Sequence, residues 1–273
     1  MLEDMKHALR VAGCQFAVDG DVERNRDQIL AQIREAAALG ARAAHFPEAA
    51  LSGYAGVDVA DLSGMNWDKL RRATEAICRE AAKRKIWVLL GSAHRLSGDN
   101  RPHNSIYVIS DQGCIVDRYD KRFCTGGGCH DVTTDLAHYT PGDHAAVFEI
   151  DGYRCAALIC YDYRFPELYR DLKQRGVEVV FQSFHNARRD SQTFRRRNIW
   201  KQIVPATMMC HAATNYFWIS ATNSTAKHSM WANFFVRPDG RVAGRLEVHV
   251  PGVLISEVDP SLELWDASAP WRE

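Results

Sequence analysis

The stretch RCAALICYDYRFPELYR, residues 154–170, passes without a linker from an apolar run to an aromatic and charged segment. The apolar run predicts a buried β-strand, and Pro166 in a following amphipathic pattern predicts a helix that ends near Gly176. Cys160 lies at the junction between the two. A turn from strand to helix can present a nucleophile, but free cysteine is also among the most frequently buried residues. This stretch alone leaves both interpretations open.

The rest of the chain repeats this alternation of strands and helices. Residues 21–40 and 66–85 place apolar side chains at helical spacing, which predicts two amphipathic helices. Other extended segments are joined directly by turn sequences, such as Asp-Gly at 151–152 and Pro-Asp-Gly at 238–240. Directly joined strands argue against one all-parallel sheet. We therefore predict an α/β fold in which two mixed sheets pack together with helices outside.

The chain shows no internal repeat, low-complexity tract or Gly/Ser linker, which predicts a single domain over residues 1–273. Its tail, residues 259–273, carries two tryptophans in a short polar stretch. The tail either folds back onto its own domain or docks on a second subunit, and the sequence leaves both arrangements open.

The composition excludes several classes of protein. Hydrophobic residues make up 46% and charged residues 25%, as in ordinary soluble globular proteins. Lys plus Arg and Asp plus Glu both number 34, so no net charge indicates a nucleic-acid or anionic-membrane partner. No signal-peptide pattern and no apolar run long enough for a transmembrane helix is found. Eight scattered cysteines are typical of reduced thiols, so we expect a cytoplasmic protein.

Motifs of common enzyme classes are absent from the sequence. It contains no G-x-S-x-G, no G-x-x-x-x-G-K-[ST], no H-E-x-x-H and no G-x-G-x-x-G after a strand. The stretch CTGGGCH, residues 124–130, matches neither zinc-site nor haem-attachment spacing. We interpret it as a loop whose glycines allow backbone N–H groups to approach a ligand. No metal and no organic cofactor is predicted.

A thiol nucleophile needs a base and a nearby positive charge, and two other strand ends offer them. Glu48 follows an apolar run and Pro47, while Lys121 closes an extended segment. Each residue has an ordinary explanation by itself: Glu48 could begin a helix, Lys121 could be a solvated cation, and Cys160 could be a core residue. Their joint occurrence at predicted strand ends favours a hydrolytic site.

These three segments resemble those of the nitrilase, or carbon–nitrogen hydrolase, superfamily. FPEAALSGY (46–54) is similar to its F-P-E-x-x-x-x-G-Y segment and YDKRF (119–123) to its lysine segment. CYDYRFPEL (160–168) is similar to its nucleophile segment C-Y-D-x-R-F-P-E, and the likeness extends over residues 11–242. The resemblance implies a four-layer α-β-β-α sandwich. It also implies a homodimer or higher homo-oligomer that pairs through helices near the nucleophile, such as residues 165–176.

The resemblance also implies a role for each matching residue. Cys160 is the expected nucleophile, Glu48 the general base and acid, and Lys121 the cation that stabilises the tetrahedral intermediate. Asp135, in DLAHYTPG, stands where the family often has a glutamate, and we expect it to orient the substrate or modulate Glu48. A backbone N–H, that of Tyr161, is the expected second oxyanion donor.

The residues after the cysteine bear on the substrate. Cys-Tyr-Asp resembles the amidase and Nit-type branches, which implies hydrolysis of a linear amide of a small carboxylic acid through a Cys160 thioester. The candidate substrate-binding residues are Tyr54, His185, Asn186, Arg188 and Arg189. Either arginine could hold a substrate carboxylate through paired hydrogen bonds. Four alternatives stay open: an N-carbamoyl amide hydrolase, a nitrile hydrolase, a papain-like Cys–His hydrolase and a catalytically silent binding module.

Overall fold

The computed structural model describes residues 6–126, 135–187, 199–266 and 269–271. In sheet order, the first sheet contains β12 (Gly252–Val258), β1 (Leu9–Gln15), β2 (Ala43–His45), β3 (Trp87–His94), β4 (His103–Ile109) and β5 (Ile115–Asp120). The second contains β11 (Val242–Arg245), β10 (Phe234–Val236), β9 (Trp218–Thr222), β8 (Val179–Ser183), β7 (Tyr153–Ile159) and β6 (Val147–Ile150). The helices are α1 (Val22–Ala38), α2 (Trp67–Arg84), α3 (Asp135–His138), α4 (Pro166–Gln174) and α5 (Trp200–Asn215), with short 3₁₀ turns at Cys160–Arg164 and Ala269–Trp271.

Both sheets are mixed, as the turn sequences predicted. The central strands β1, β2 and β3 of the first sheet are parallel, and so are β7, β8 and β9 of the second. The outer pairs are antiparallel, including the β6–β7 hairpin at the Asp-Gly turn. Parallel strands end at the same edge of a sheet, so the residues that follow β7 and β8 lie together at one edge of the second sheet.

Helices α1 and α2 cover the outer face of the first sheet because their apolar residues recur at helical spacing. Ile29 and Ile33 of α1 and Ile77 of α2 are fully buried in one core cluster, which also contains Val88. The side chain of Asp21 caps α1 by accepting hydrogen bonds from two backbone N–H groups of its first turn. This pairing of helices and sheet forms the first two layers.

The second core cluster lies between the sheets and continues under α4 and α5. Leu89 points into it from the first sheet and Leu158 from the second, while Tyr169 of α4 and Met208 of α5 pack on the far side. The predicted four-layer α-β-β-α sandwich is therefore confirmed. Helix α5 continues past Pro205, which lies inside it.

Two further expectations concern the cysteines and the tail. The seven cysteines in the described ranges are free thiols. In the tail, the hydroxyl of Tyr216 donates to the carbonyl of Leu264 at 3.2 Å, yet the next residue, Trp265, is 88% exposed. The tail thus contacts its own domain while presenting an indole to solvent.

Within the described ranges, no helix combines the length and the apolar character needed to cross a bilayer.

Candidate active site

The three motif segments converge where strands of the two sheets end. Glu48 follows β2, Lys121 directly follows β5, and Cys160 directly follows β7. Both Glu48 and Lys121 are completely buried, whereas Cys160 stays partly exposed. Residues far apart in the chain therefore form one cluster, with the cysteine on its accessible side.

Lys121 forms two buried ion pairs. Its Nζ lies 2.8 Å from Glu48 Oε1 and 2.7 Å from Asp135 Oδ2. Burial alone would lower the pKa of Lys121, but the charges of Asp135 and Glu48 raise that pKa well above its usual range. Burial would conversely raise the pKa of Asp135, and Lys121 holds it below the usual value. The shorter side chain of Asp135 thus reaches the cluster, and the ammonium group stays charged.

The Glu48 carboxylate is fixed by hydrogen bonds to both of its oxygens. Asn104 Nδ2 donates to Oε1 at 2.7 Å, and the backbone N–H of His185 donates to Oε2 at 2.9 Å. The N–H of Glu48 itself donates to the carbonyl of Phe184 at 3.2 Å. The segment after β8 therefore holds the carboxylate in place from the second sheet.

Cys160 lies in a strained backbone conformation at the end of β7. Its φ of 41° lies in the left-handed region, which a non-glycine residue occupies only under constraint from its surroundings. Burial raises the pKa of the thiol, and the negative charge of the nearby Glu48 carboxylate raises the pKa further. The thiol is thus neutral at rest, and a base has to take its proton during attack.

A glycine of the neighbouring strand allows the Glu48 segment to lie this close to the sheet. A Cβ atom at Gly91 would overlap the carbonyl oxygen of Pro47 and lie 2.8 Å from the backbone nitrogen of Ala49. Ala49 is itself left-handed, with a φ of 55°. The sharp turn that carries Glu48 is therefore packed directly against the backbone of β3.

Two of the predicted substrate-binding residues lie beside the cluster. The hydroxyl of Tyr54 donates to Asp135 Oδ1, and Lys121 Nζ lies 5.9 Å from the centre of the Tyr54 ring. The imidazole of His185 stacks on the same ring, with 5.0 Å between centroids, and its Nε2 lies 2.8 Å from Asp58 Oδ2. Tyr54 and His185 therefore form a wall of the site.

The remaining predicted residues have different surroundings. Asn186 is nearly buried, and its Oδ1 accepts from the N–H of Met230 at 3.2 Å, so this oxygen joins two loops. Tyr161 is half-buried with its ring 5.8 Å from that of Phe165. Arg188 and Arg189 lie outside the described residues, as does part of the glycine-rich stretch, residues 127–130.

Sequence reasoning missed two residues of the cluster's surroundings. Asn104 is a buried amide near the start of β4, between the polar residues His103 and Ser105, so no contrast with its neighbours marks it in the sequence. Asp58 accepts the backbone N–H of Tyr54 at 2.8 Å besides contacting His185. Neither residue carries a motif by which its partner could be recognised.

The arrangement suits attack of a thiol on a carbonyl-like carbon. A carboxylate lies near the thiol, and an ammonium group lies beside that carboxylate, where it can stabilise a developing oxyanion. The charge that acts most strongly on the thiol is that of the Glu48 carboxylate, whereas a papain-like site pairs its thiol with an imidazole. Across the described parts of the chain, no group of three or more His, Cys, Asp or Glu residues could hold a metal ion.

Comparisons with known proteins identify the family of this chain. The sequence profile of the carbon–nitrogen hydrolase family matches residues 10–266. The 2-oxoglutaramate amidase of Bacillus subtilis is 28% identical over 225 residues, which cover 78% of this chain and 76% of that protein. A hydrolase in the agr operon of Staphylococcus aureus is 27% identical, over 84% of this chain and 83% of the relative.

A solved structure shares the fold over nearly the whole chain. The Nesterenkonia AN1 amidase of the nitrilase superfamily superposes with a TM-score of 0.77 at 20% identity, covering 96% of this chain and 94% of that one. The family profile spans nearly all of the sequence, and the predicted enzyme class is confirmed. This protein therefore belongs to the carbon–nitrogen hydrolase family.

Proposed function

We propose that this protein is an amidase that hydrolyses the linear amide of a small carboxylic acid, with a Glu48-Lys121-Cys160 triad. The observation that carries the proposal is the ion pair of Lys121 and Glu48, whose charges both act on the Cys160 thiol. Similarity to proteins described as amidases favours an amide over a nitrile or an N-carbamoyl compound.

The first half of the reaction forms the thioester. Glu48 accepts the thiol proton while Sγ of Cys160 attacks the amide carbon, and the carbonyl oxygen becomes an oxyanion. Lys121 Nζ and the N–H of Tyr161 stabilise that oxyanion. Glu48 then donates the proton to the departing nitrogen, so the carbon–nitrogen bond breaks and ammonia or an amine leaves.

The second half returns the enzyme to its starting state. Glu48 accepts a proton from water, whose oxygen attacks the thioester carbon and forms a second tetrahedral intermediate. The carbon–sulfur bond then breaks, the proton returns to Sγ of Cys160, and the carboxylic acid leaves. Asp135 acts throughout by keeping Lys121 charged, which prevents the ammonium group from being neutralised by proton transfer to Glu48.

A panel of amides, N-carbamoyl compounds and nitriles tests this function, with ammonia release as the measurement. We expect turnover of small amides that falls to background in Cys160→Ala and Glu48→Gln, a loss on the order of 10⁴-fold or more. Cys155→Ala is the matched control, because Cys155 is a buried thiol of the preceding strand outside the cluster. Amides that differ only by a carboxylate test the proposed contacts of Arg188 and Arg189, whose alanine variants should raise KM for the anionic amide alone.

Other results of the same panel would contradict the proposal. Turnover of nitriles or N-carbamoyl compounds without any amide would assign a different branch of the family. A papain-like mechanism predicts a nearly harmless Glu48→Gln and an inactive histidine variant, such as His185→Ala. A silent binding module predicts no turnover, and no preferential alkylation of Cys160 by iodoacetamide among the eight thiols.

We also propose that this protein is a single domain, that it is cytoplasmic and that it assembles as a homodimer or higher homo-oligomer. The free thiols of the described residues support a reducing compartment. Exposed apolar side chains support a contact between subunits through α5, which packs next to α4, and through the tail. These side chains are Ile199, Ile203 and Met209 at α5 and Trp265 in the tail. Light scattering after gel filtration measures the assembly directly, and a strict monomer would contradict it.

A further inference from the structure

A second buried carboxylate, that of Asp162, lies in the turn that carries Cys160. Its Oδ2 accepts from the backbone N–H of Ile159 at 3.0 Å and from the hydroxyl of Tyr119 at 2.8 Å. Its Oδ1 accepts from the backbone N–H of Phe123 at 2.9 Å. Asp162 itself is completely buried. One side chain thus engages three donors with both of its oxygens.

The three donors belong to the two segments that carry the nucleophile and the lysine. Ile159 is the last residue of β7 and directly precedes Cys160, while Tyr119 and Phe123 stand on either side of Lys121 in the sequence. Strand β5 belongs to the first sheet and β7 to the second. The carboxylate therefore joins the two sheets beside the cluster.

This connection acts on a strained turn. A left-handed φ such as that of Cys160 is strained and persists only where the surroundings impose it. The bond from Ile159 N–H to Asp162 closes the turn around Cys160, and the bond from Phe123 N–H fixes the segment after Lys121. The separation of Sγ and Nζ depends on both bonds.

We propose that Asp162 is a positioning residue that fixes Cys160 relative to Lys121 by joining their two segments. The expected effect on kcat rests on the proposed function. The described hydrogen bonds of Asp162 run to backbone N–H groups and to Tyr119, so it acts through Cys160 and Lys121 rather than on the substrate. Its loss should slow the chemical step and leave substrate binding nearly unchanged.

Asp162→Asn is the most direct test. The variant keeps the size of the side chain but places an NH₂ group where one oxygen now accepts from an N–H group, so at least one bond is lost. We expect kcat to fall about 100-fold, as for a misplacement of about 1 Å, with KM near the wild-type value. Alkylation of Cys160 by iodoacetamide should slow in parallel, which can be measured without any substrate.

Two further variants keep the test decisive. Tyr119→Phe removes one donor and leaves the carboxylate, so we expect a smaller fall in kcat and in alkylation rate in the same direction. Asp111→Asn, in the turn between β4 and β5, is the control and should change neither quantity. If Asp162→Asn does not fold, the Tyr119→Phe result decides.

Wild-type kcat and alkylation rate in a folded Asp162→Asn would overturn the proposal, as would a rise in KM at constant kcat. If Asp162→Asn does not fold, unchanged kcat and alkylation rate in Tyr119→Phe would also overturn the proposal. If the wild-type protein hydrolyses no amide, the proposed function fails by itself, and the alkylation rates still decide the role of Asp162.

Discussion

Two buried polar clusters lie next to each other between the sheets, and they differ in charge. In the first, His45 Nδ1 lies 3.0 Å from the hydroxyl of Ser220, and Nε2 lies 2.9 Å from that of Ser183. Burial lowers the pKa of His45 to about 3, so the imidazole is neutral. The second cluster, around Lys121, is equally buried and fully ionised.

The difference shows what decides the charge of a buried group. His45 is surrounded by hydroxyls, which satisfy its ring nitrogens without offsetting a charge, so burial removes the proton. Lys121 contacts two carboxylates, whose attraction outweighs the same burial. A neutral hydrogen-bonded cluster costs little to bury, whereas a buried ionised cluster contributes little net stability.

Removal of the cation from the ionised cluster should have the largest effect. Lys121→Met leaves two buried carboxylates without a counter-charge, so we expect the free energy of unfolding to fall by about 3–5 kcal/mol. Loss of one oxyanion donor should also lower kcat about 100- to 1000-fold. Urea denaturation and amide kinetics measure the two effects.

The control for this variant is an exposed ion pair. Lys6 Nζ lies 2.7 Å from Glu178 Oε2 with both side chains accessible to solvent, so Lys6→Met should cost no more than about 1 kcal/mol. Equal losses of stability in the two lysine variants would mean that burial of the Lys121 cluster does not matter, contrary to the comparison.

Disruption of the neutral cluster should affect stability alone. His45→Ala leaves the hydroxyls of Ser183 and Ser220 without their ring partner, and we expect a cost of about 1–3 kcal/mol. The kcat and the pH dependence of the rate should stay near those of the wild type, because the imidazole is neutral and takes no part in the reaction. Disappearance of one limb of the pH–rate profile would instead make His45 a catalytic group.

Asp162 provides a test by pH, because it is a buried carboxylate whose described hydrogen-bond donors are all neutral. Burial raises its pKa to about 6, against an ordinary value of about 3.9. The folded protein thus binds this proton more tightly than the unfolded chain. The contribution of Asp162 to stability is therefore most favourable below about pH 4 and is lost as the pH rises to about 6.

Comparison with Asp162→Asn isolates this contribution, since other groups titrate equally in both proteins. The free energy of unfolding of the wild type relative to the variant should fall by about 1.4 kcal/mol per pH unit within that window. Urea denaturation at several pH values measures the difference. A difference independent of pH would show that the burial of Asp162 does not perturb its titration.

The sequence was sufficient to predict the layers of the fold and the members of the ionised cluster. Apolar periodicity predicted α1 and α2, and turn sequences predicted the hairpins, because both signals are local. Glu48, Lys121 and Cys160 were recognisable since each follows a strand within a distinctive motif. The position of Asp135 against Lys121 follows from the structure, which shows that its shorter side chain reaches the ammonium group.

The surroundings of that cluster could not be predicted in the same way. Asn104 reaches Glu48 only because of the register of β4 between β3 and β5, and no local pattern encodes that register. The neutral network of His45 requires strands of both sheets to approach face to face. Asp162 was part of a recognised motif, yet its three donors come from two segments of the chain.

The contact of Gly91 with the Glu48 segment has a consequence for directed evolution of this protein. A library that diversifies Gly64 introduces side chains into open space, because nothing lies within 4 Å of a Cβ atom there. The same diversification at Gly91 would displace Pro47 and, with it, the proposed base. Randomised libraries aimed at new substrates should therefore hold position 91 constant, although it lies on a strand that contributes no reacting group.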